Sequence, residues 1–383
     1  MSAPSDAIDR LRLARTEGVG PVAYRRLLAR YDSAAAALEA LPALARAGGR
    51  PTPPAIPAPE EAAKELNALR RLGARIIFAA EPDYPVLLAM LDDAPAALSV
   101  LGDAALLSAP AVAVVGGRNA SANGQRMAET LAADLARSVV VVSGLARGID
   151  GAAHQGALRT GRTVAAVAGG LDMPYPPEHA ELQRLIATSG AVLTEAPLGT
   201  APQARHFPRR NRIIAGLALG VVVVEAALRS GSLITARLAQ EAGRELFAVP
   251  GSPLDPRSRG ANDLIRQGAH LVETAQDVLD NLPDHPSREG LARLPLFTHG
   301  APRGLAEPGR NWQEPGEDAA EFAKARRQVI DLLGTSPTAV DDVVRRCQFS
   351  AAAVMVVLLE LELAGRIETL PGARIALLPG TGF

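Results

Sequence analysis

Short, uniformly apolar runs alternate with helix-period segments through the middle of the chain. Between about residues 75 and 282 the runs are RIIFA, AVAVVGG, VVVVSG, TVAAVAGG, AVLTEA, GVVVVEA and ELFAVPG. Strands apolar on both faces, with helices between them, predict a parallel sheet covered on both sides. Several runs end in Gly, Ser or Glu, where the chain turns toward the next helix. In doubly wound sheets those carboxyl ends line the ligand crevice. The first seventy residues read instead as short helices, with a Gly-x-Gly-Pro turn in TEGVGPVAYRRLL (16–28) and a proline-rich loop in GGRPTPPAIPAPEE (48–61). Residues 283–318 carry Pro, Gly and charge without periodicity. Helices near 321–333, 338–346 and 350–364, then a strand-like hairpin around Pro371-Gly372, make a winged-helix pattern. The Gly-x-Gly-Pro turn resembles a helix-hairpin-helix, whose turn amides can hold a phosphate, or is a plain packing turn. The predicted organisation is an N-terminal helical domain, SAM- or helix-hairpin-helix-like (1–70), a Rossmann-like, mostly parallel α/β sheet (75–283), a flexible linker (284–318) and a winged-helix domain (319–383).

At 383 residues the chain has room for two or three cores. Its net charge is −1, so affinity for a polyanion must come from local clustering. Lysine occurs only at Lys64 and Lys324, leaving arginine as the cation. Genomic base composition accounts for part of that bias; arginine also offers a planar fork of donors suited to phosphates. Cys347 is the sole cysteine, which excludes an internal disulfide framework and a cysteine-based zinc site. The N-terminus lacks a secretory pattern, and the longest apolar run, 213–224, stops at Glu225, too short for a bilayer. A soluble cytoplasmic protein without membrane contact is expected.

The chemistry gathers at the strand ends. VVGGR closes one run: Gly116 and Gly117 allow close backbone approach and Arg118 adds charge, although neither a dinucleotide fingerprint nor a Walker loop is present. SGLARGIDGAAH repeats the design with Gly144, Arg147 and Gly148 at a helix start, which suits phosphate. Asp150 and His154 follow at i and i+4, as an acid–base pair or a helix-stabilising contact. Ser230, Gly231, Ser232 and Thr235 open another helix and fit either capping or phosphate contact. VPGS places Gly251 at the next strand end, and Asn262 lies in the helix after it. RHFPRRNRII sets Phe207 among arginines, including the Arg210-Asn211-Arg212 block. No nucleophile–base pair accompanies these groups. The crevice they outline is suited to holding several phosphates, not to breaking bonds.

The segments GGRNASANG, SGLARGIDGAAHQGAL, TVAAVAGGLDMPYP, FPRRNRIIAGL, SGSLITARLA and VPGSPLDPRSRGANDLIRQGA resemble, in order, the DNA-processing protein A (DprA/Smf) family of natural transformation. The terminal segments also resemble accessory domains of that family. The resemblance implies a non-enzymatic, homodimeric protein of competence and DNA recombination. Such a protein binds single-stranded DNA, protects it and helps load a RecA-type recombinase onto it. It implies no cofactor, and it leaves room for double-stranded DNA contact through the accessory domains. It places the DNA pocket at Arg118, Phe207, Arg210-Asn211-Arg212 and the helix start Ser230 to Thr235. This chain departs from the family pattern at Gly117 (usually Ser or Thr), Asn123 (usually Tyr) and His179 (usually Asn); at Gly117 the amide is expected to stay free for phosphate.

RHFPRRNRII therefore reads as a clamp, with arginines for backbone charge and Phe207 as a face for a base; the competing reading is a structural salt-bridge cluster. The third helix of the winged pattern, SAAAVMVVLLELELA, lacks the polar side chains that read a major groove. Being apolar nearly all round, it is expected to be buried or to meet protein. The alternative function is a Rossmann-like nucleotide-processing enzyme or a sensor of a nucleotide-derived signal. Such enzymes typically carry PGGxGTxxE, of which only VPGS is present here.

Overall fold

The computed structural model describes residues 4–286, 319–370 and 372–378. Residues 287–318 of the expected linker, and Pro371 in the expected hairpin, lie outside them. Among the described residues no helix is long and apolar enough to cross a membrane. The chain forms two compact units: Ala63–His285, and the N-terminal helices together with the C-terminal segment.

The larger unit is a nine-stranded sheet in the order β1-β2-β6-β5-β4-β3-β7-β8-β9. Its strands are β1 (Ala74–Phe78), β2 (Ala97–Gly102), β3 (Ala111–Val115), β4 (Val140–Ser143), β5 (Thr163–Ala166), β6 (Ala191–Thr194), β7 (Gly220–Val223), β8 (Glu245–Ala248) and β9 (His270–Leu271). From β6 through β9 every pairing is parallel, whereas β1 and β2 add an antiparallel edge. RIIFA is thus an antiparallel strand. Every residue of β3 and β7 is buried, as a sheet covered on both faces requires. The apolar run 213–224 is not one element: it ends a helix, crosses a short turn and becomes β7.

Helices α6 (Ala122–Leu135), α7 (Ile149–Thr160), α8 (Ala180–Ser189), α9 (His206–Leu217), α10 (Ser232–Glu241) and α11 (Arg259–Arg266) cover the sheet. Leu131, Leu135, Ile149 and Ala153 close one face over Val112, Val141 and Val222. Strand order reverses between β3 and β7, and their carboxyl ends open side by side there. That reversal is where a doubly wound sheet makes its crevice.

The smaller unit holds α1 (Pro4–Arg15), α2 (Pro21–Arg30) and α3 (Ala34–Ala47) beside a winged helix. The latter comprises α13 (Ala319–Leu332), α14 (Val340–Arg346), α15 (Ala351–Leu363) and a sheet of β10 (Thr338–Ala339), β12 (Arg374–Leu377) and β11 (Ile367–Leu370). Thr338, expected in a helix, lies in β10. The apolar α15 packs on α13 and also on α2 and α3. Polar pairs flank the contact: Arg26–Glu362 at 3.4 Å within it, and Arg326–Glu360 at 2.6 Å at its side. Around the Gly-x-Gly-Pro turn the Glu17 and Val19 amides bond the Ala55 and Thr16 carbonyls.

Candidate functional site

At the reversal between β3 and β7 lies an open crevice of about 780 Å³. Its floor is the turn Gly116–Asn119; one wall is α9 with Phe207, Pro208 and Asn211, and the other is the start of α10 with Ser230, Gly231, Ser232 and Thr235. A smaller cavity of about 50 Å³ adjoins it, lined by Gly144, Arg147, Gly169 and Met173. Arg118, Tyr175, Phe207 and Arg210 border both.

Phe207 sits in the first turn of α9, half-buried. The Arg118 guanidinium carbon lies 4.7 Å from its ring centroid, and the Tyr175 ring meets it at 5.6 Å with a 55° tilt. Cation and aromatic thus stand together at the mouth, with Arg118 itself exposed. Such a pair provides a phosphate partner and a stacking surface within one nucleotide's reach.

The arginine block divides as a helix must, about 100° per residue. Arg205 and Arg209, one turn apart, are exposed. Arg210 turns inward, 5% exposed, and its Nη1 donates to the carbonyls of Ala166 (2.6 Å) and Gly144. Burial pulls its pKa down to about 10, against the opposing pull of Asp150. Arg212 leaves the crevice: its guanidinium donates to the Asp93 carbonyl (2.6 Å) and pairs with Glu195 at 2.5 Å and Asp93 at 3.5 Å. Asn211 lines the wall and reaches the Gly231 carbonyl at 3.4 Å.

The α10 start presents its first turn to the crevice. Gly231 is exposed, and Ser230 and Ser232 share a 2.7 Å hydroxyl–hydroxyl bond. The first amides are already partnered: Ser232 donates to Ser230 Oγ at 3.4 Å, and Leu233 and Ile234 donate to the Ser230 and Gly231 carbonyls at 3.1 Å. What this start offers an anion is its hydroxyls and the partial positive charge of a helix N-terminus. Opposite, the Gly117 amide donates to the Glu225 carbonyl at 2.5 Å. The amide expected to be free for phosphate is therefore used, because it continues the β3–β7 ladder.

The remaining residues lie apart from the main crevice, except Asp150, which lines it. Arg147 pairs with Glu178, and Gly148 is the N-cap of α7 at φ +74°, a backbone suited to glycine. Gly251 and Asn262 bond each other, amide to Oδ1 at 3.0 Å and Nδ2 to carbonyl at 2.8 Å. Asp150 and His154 serve different partners. Asp150 accepts from the Ala146 amide at 3.3 Å, and His154 Nδ1 meets Thr163 Oγ1 at 2.8 Å. His179 Nδ1 meets the Leu145 carbonyl at 3.0 Å.

Sequence reasoning passed over four lining groups: Tyr175, Glu225, Arg229 and Arg257. Arg229 was detectable, since it directly precedes the Ser-Gly-Ser helix start. The others reach the crevice only through the fold.

A family model described as DNA recombination-mediator protein A matches residues 75–283. Models of a DprA-like N-terminal HHH domain and a DprA winged helix domain match residues 4–68 and 313–373. Protein Smf of Escherichia coli (strain K12) is 42% identical over 297 residues, covering 77% of this chain and 75% of that protein. DNA processing protein DprA of Streptococcus pneumoniae is 49% identical over 197 residues, 51% of this chain and 70% of the relative. The X-ray structure of DNA processing protein A from Streptococcus pneumoniae is similar with a TM-score of 0.64 at 37% identity, over 74% of this chain and 100% of that one. A structure of DNA processing protein A from Helicobacter pylori, concerned with that protein's single-stranded DNA binding mode, gives a TM-score of 0.50 at 32% identity. It covers 55% of this chain and 97% of that one.

Proposed function

The chain belongs to the DNA recombination-mediator protein A (DprA/Smf) family, and from that premise we propose that its crevice binds single-stranded DNA during natural transformation. The observation that carries the reading is the Arg118–Phe207 pair, which shares the crevice with the hydroxyl-bearing start of α10. A single strand exposes both its phosphates and its base faces. A duplex hides the faces, so an aromatic beside a cation favours the unpaired form.

In this reading Arg118, Arg205, Arg209 and Arg229 supply charge around the crevice. The Ser230 and Ser232 hydroxyls at the positive end of α10 hold phosphates, and Phe207 with Tyr175 takes a base. Arg210, Asn211 and Gly144 shape the wall, whereas Arg212 supports α9 from behind. The protein acts in the cytoplasm as a homodimer, binds without turning over nucleotide or DNA, and passes its strand to a RecA-type recombinase. The binding resides in the unit Ala63–His285. The test is fluorescence anisotropy with labelled oligothymidylate against unlabelled single-stranded and duplex competitors. Competition by single strands alone supports the reading; equal competition by the duplex sinks it.

A further inference from the structure

In a doubly wound sheet the amides that open the helix of a βα turn are a natural seat for phosphate. Here one such turn joins β3 to α6, and its Ser121 amide and hydroxyl already hold an anion. The Glu225 carboxylate, only 6% exposed, accepts from the Ser121 amide through Oε1 at 3.0 Å and Oε2 at 3.3 Å. Oε2 also accepts from the Ser121 hydroxyl at 2.7 Å. Ser121 is the N-cap of α6, and its Oγ accepts from the Gly124 amide at 2.9 Å. The fit is close enough that a methyl group on Gly124 would overlap Glu225 Oε2. The Arg257 Nε lies 3.5 Å from the same carboxylate, as a cation would beside a bound phosphate.

We propose that Glu225 is a specificity-determining residue that fills the anion position of this turn with the protein's own carboxylate, so that phosphomonoesters are refused there. The differential is electrostatic. A terminal phosphomonoester carries close to two charges near neutral pH, and an internal phosphodiester one. A fixed carboxylate at the helix start therefore penalises a mononucleotide or a 5′-phosphate end more than an internal link. It leaves the internal links to Arg118 and α10, which bind without regard to strand ends. The selectivity for internal links rests on the proposed single-strand reading; the refusal of phosphate is measurable without it.

The experiment uses the full chain, Glu225→Gln, Glu225→Ala and the double variant Gly124→Ala/Glu225→Ala. One arm measures thermal stabilisation by inorganic phosphate against chloride at matched ionic strength. The other compares oligothymidylate with and without a 5′-phosphate. Wild type should bind the two oligomers alike and show the smaller response to phosphate. Glu225→Ala should gain saturable stabilisation by phosphate and a preference of about tenfold for the 5′-phosphorylated strand, as an opened helix start with a nearby arginine provides; Glu225→Gln, which removes the charge but keeps the shape, should gain less. The double variant puts a methyl group where the carboxylate oxygen was, and should lose that gain. Variants that respond to phosphate no more than wild type overturn the inference. A 5′-phosphate preference already present in wild type does so too, even if the variants fail to fold. Failure of wild type to bind either oligomer would instead remove the proposed function, leaving the phosphate arm to decide the role of Glu225.

Discussion

The guanidinium of Arg118 covers the ring of Phe207 at 4.7 Å, joining the end of a strand to the first turn of a helix far along the chain. The pair should behave as a unit toward a single strand. Phe207→Ala removes a stacking face and should weaken oligothymidylate binding by about 1–3 kcal/mol, undiminished at high salt. Arg118→Ala should lower the log–log salt slope by about 0.7, one phosphate contact on a single strand. The double variant should lose less than the sum, because each single change also disturbs the other residue. Strict additivity in salt titrations of the four proteins would dismiss the pair as a unit.

Helix α9 makes a second, sharper prediction. Arg205→Ala and Arg209→Ala should reduce the salt slope without affecting the melting temperature. Arg212→Ala should do the reverse, since it leaves Asp93 and Glu195 without their cation. Arg210→Ala strands the carbonyls of Gly144 and Ala166 and should also lower the melting temperature. Its loss should be clear, because each buried carbonyl left unsatisfied costs about 1–3 kcal/mol. Circular dichroism melts beside binding isotherms separate the two classes.

These arginines mark how far the sequence could be read. RHFPRRNRII is legible as a helix start dense in charge, yet the arginine at the N-cap and the three within the helix cannot all face one crevice. Which of them turns inward depends on acceptors elsewhere, such as Ala166 and Asp93. The apolar runs and their terminal glycines gave the parallel sheet and its reversal. They did not include β2, whose ALSVLG carries a serine within the run although Asp92, Asp93 and Pro95 punctuate the turn before it, or β9, which is two residues long. Glu225 likewise reads only as the end of an apolar run. Its partner, Ser121, lies on another βα turn.

Stability should depend on His154. Burial, then the charges of His179 and Arg210, hold its pKa down to about 3. Between the ordinary histidine value and that depressed one, the unfolded chain takes up a proton that the folded chain refuses. Stability is therefore full above the ordinary value and falls as pH drops. From pH 7 to 5 this group should contribute a loss of about 2 kcal/mol. Asp150, whose burial raises its pKa, titrates with the opposite sign in both proteins compared. Urea melts of wild type and His154→Gln at the two pH values should differ by that amount; parallel pH dependences would remove His154 from the account.

The smaller unit can be perturbed by itself. Gly48 has an ordinary helical φ of −69°, yet a methyl group there would overlap the Glu360 carbonyl oxygen on α15. Gly48→Val should destabilise that unit by about 1–3 kcal/mol through overpacking, while oligothymidylate affinity stays at the wild-type value. A parallel loss of affinity would mean that the winged helix and N-terminal helices share the binding.

The most direct measurement is photo-crosslinking of 4-thiothymidine-substituted oligothymidylate to the full chain, with the modified peptides mapped by mass spectrometry. The account predicts adducts on the segment containing Phe207 or on that containing Tyr175, suppressed by unlabelled single strands and lost from the Phe207 segment in Phe207→Ala. Specific adducts confined to the N-terminal helices or the winged helix would contradict it.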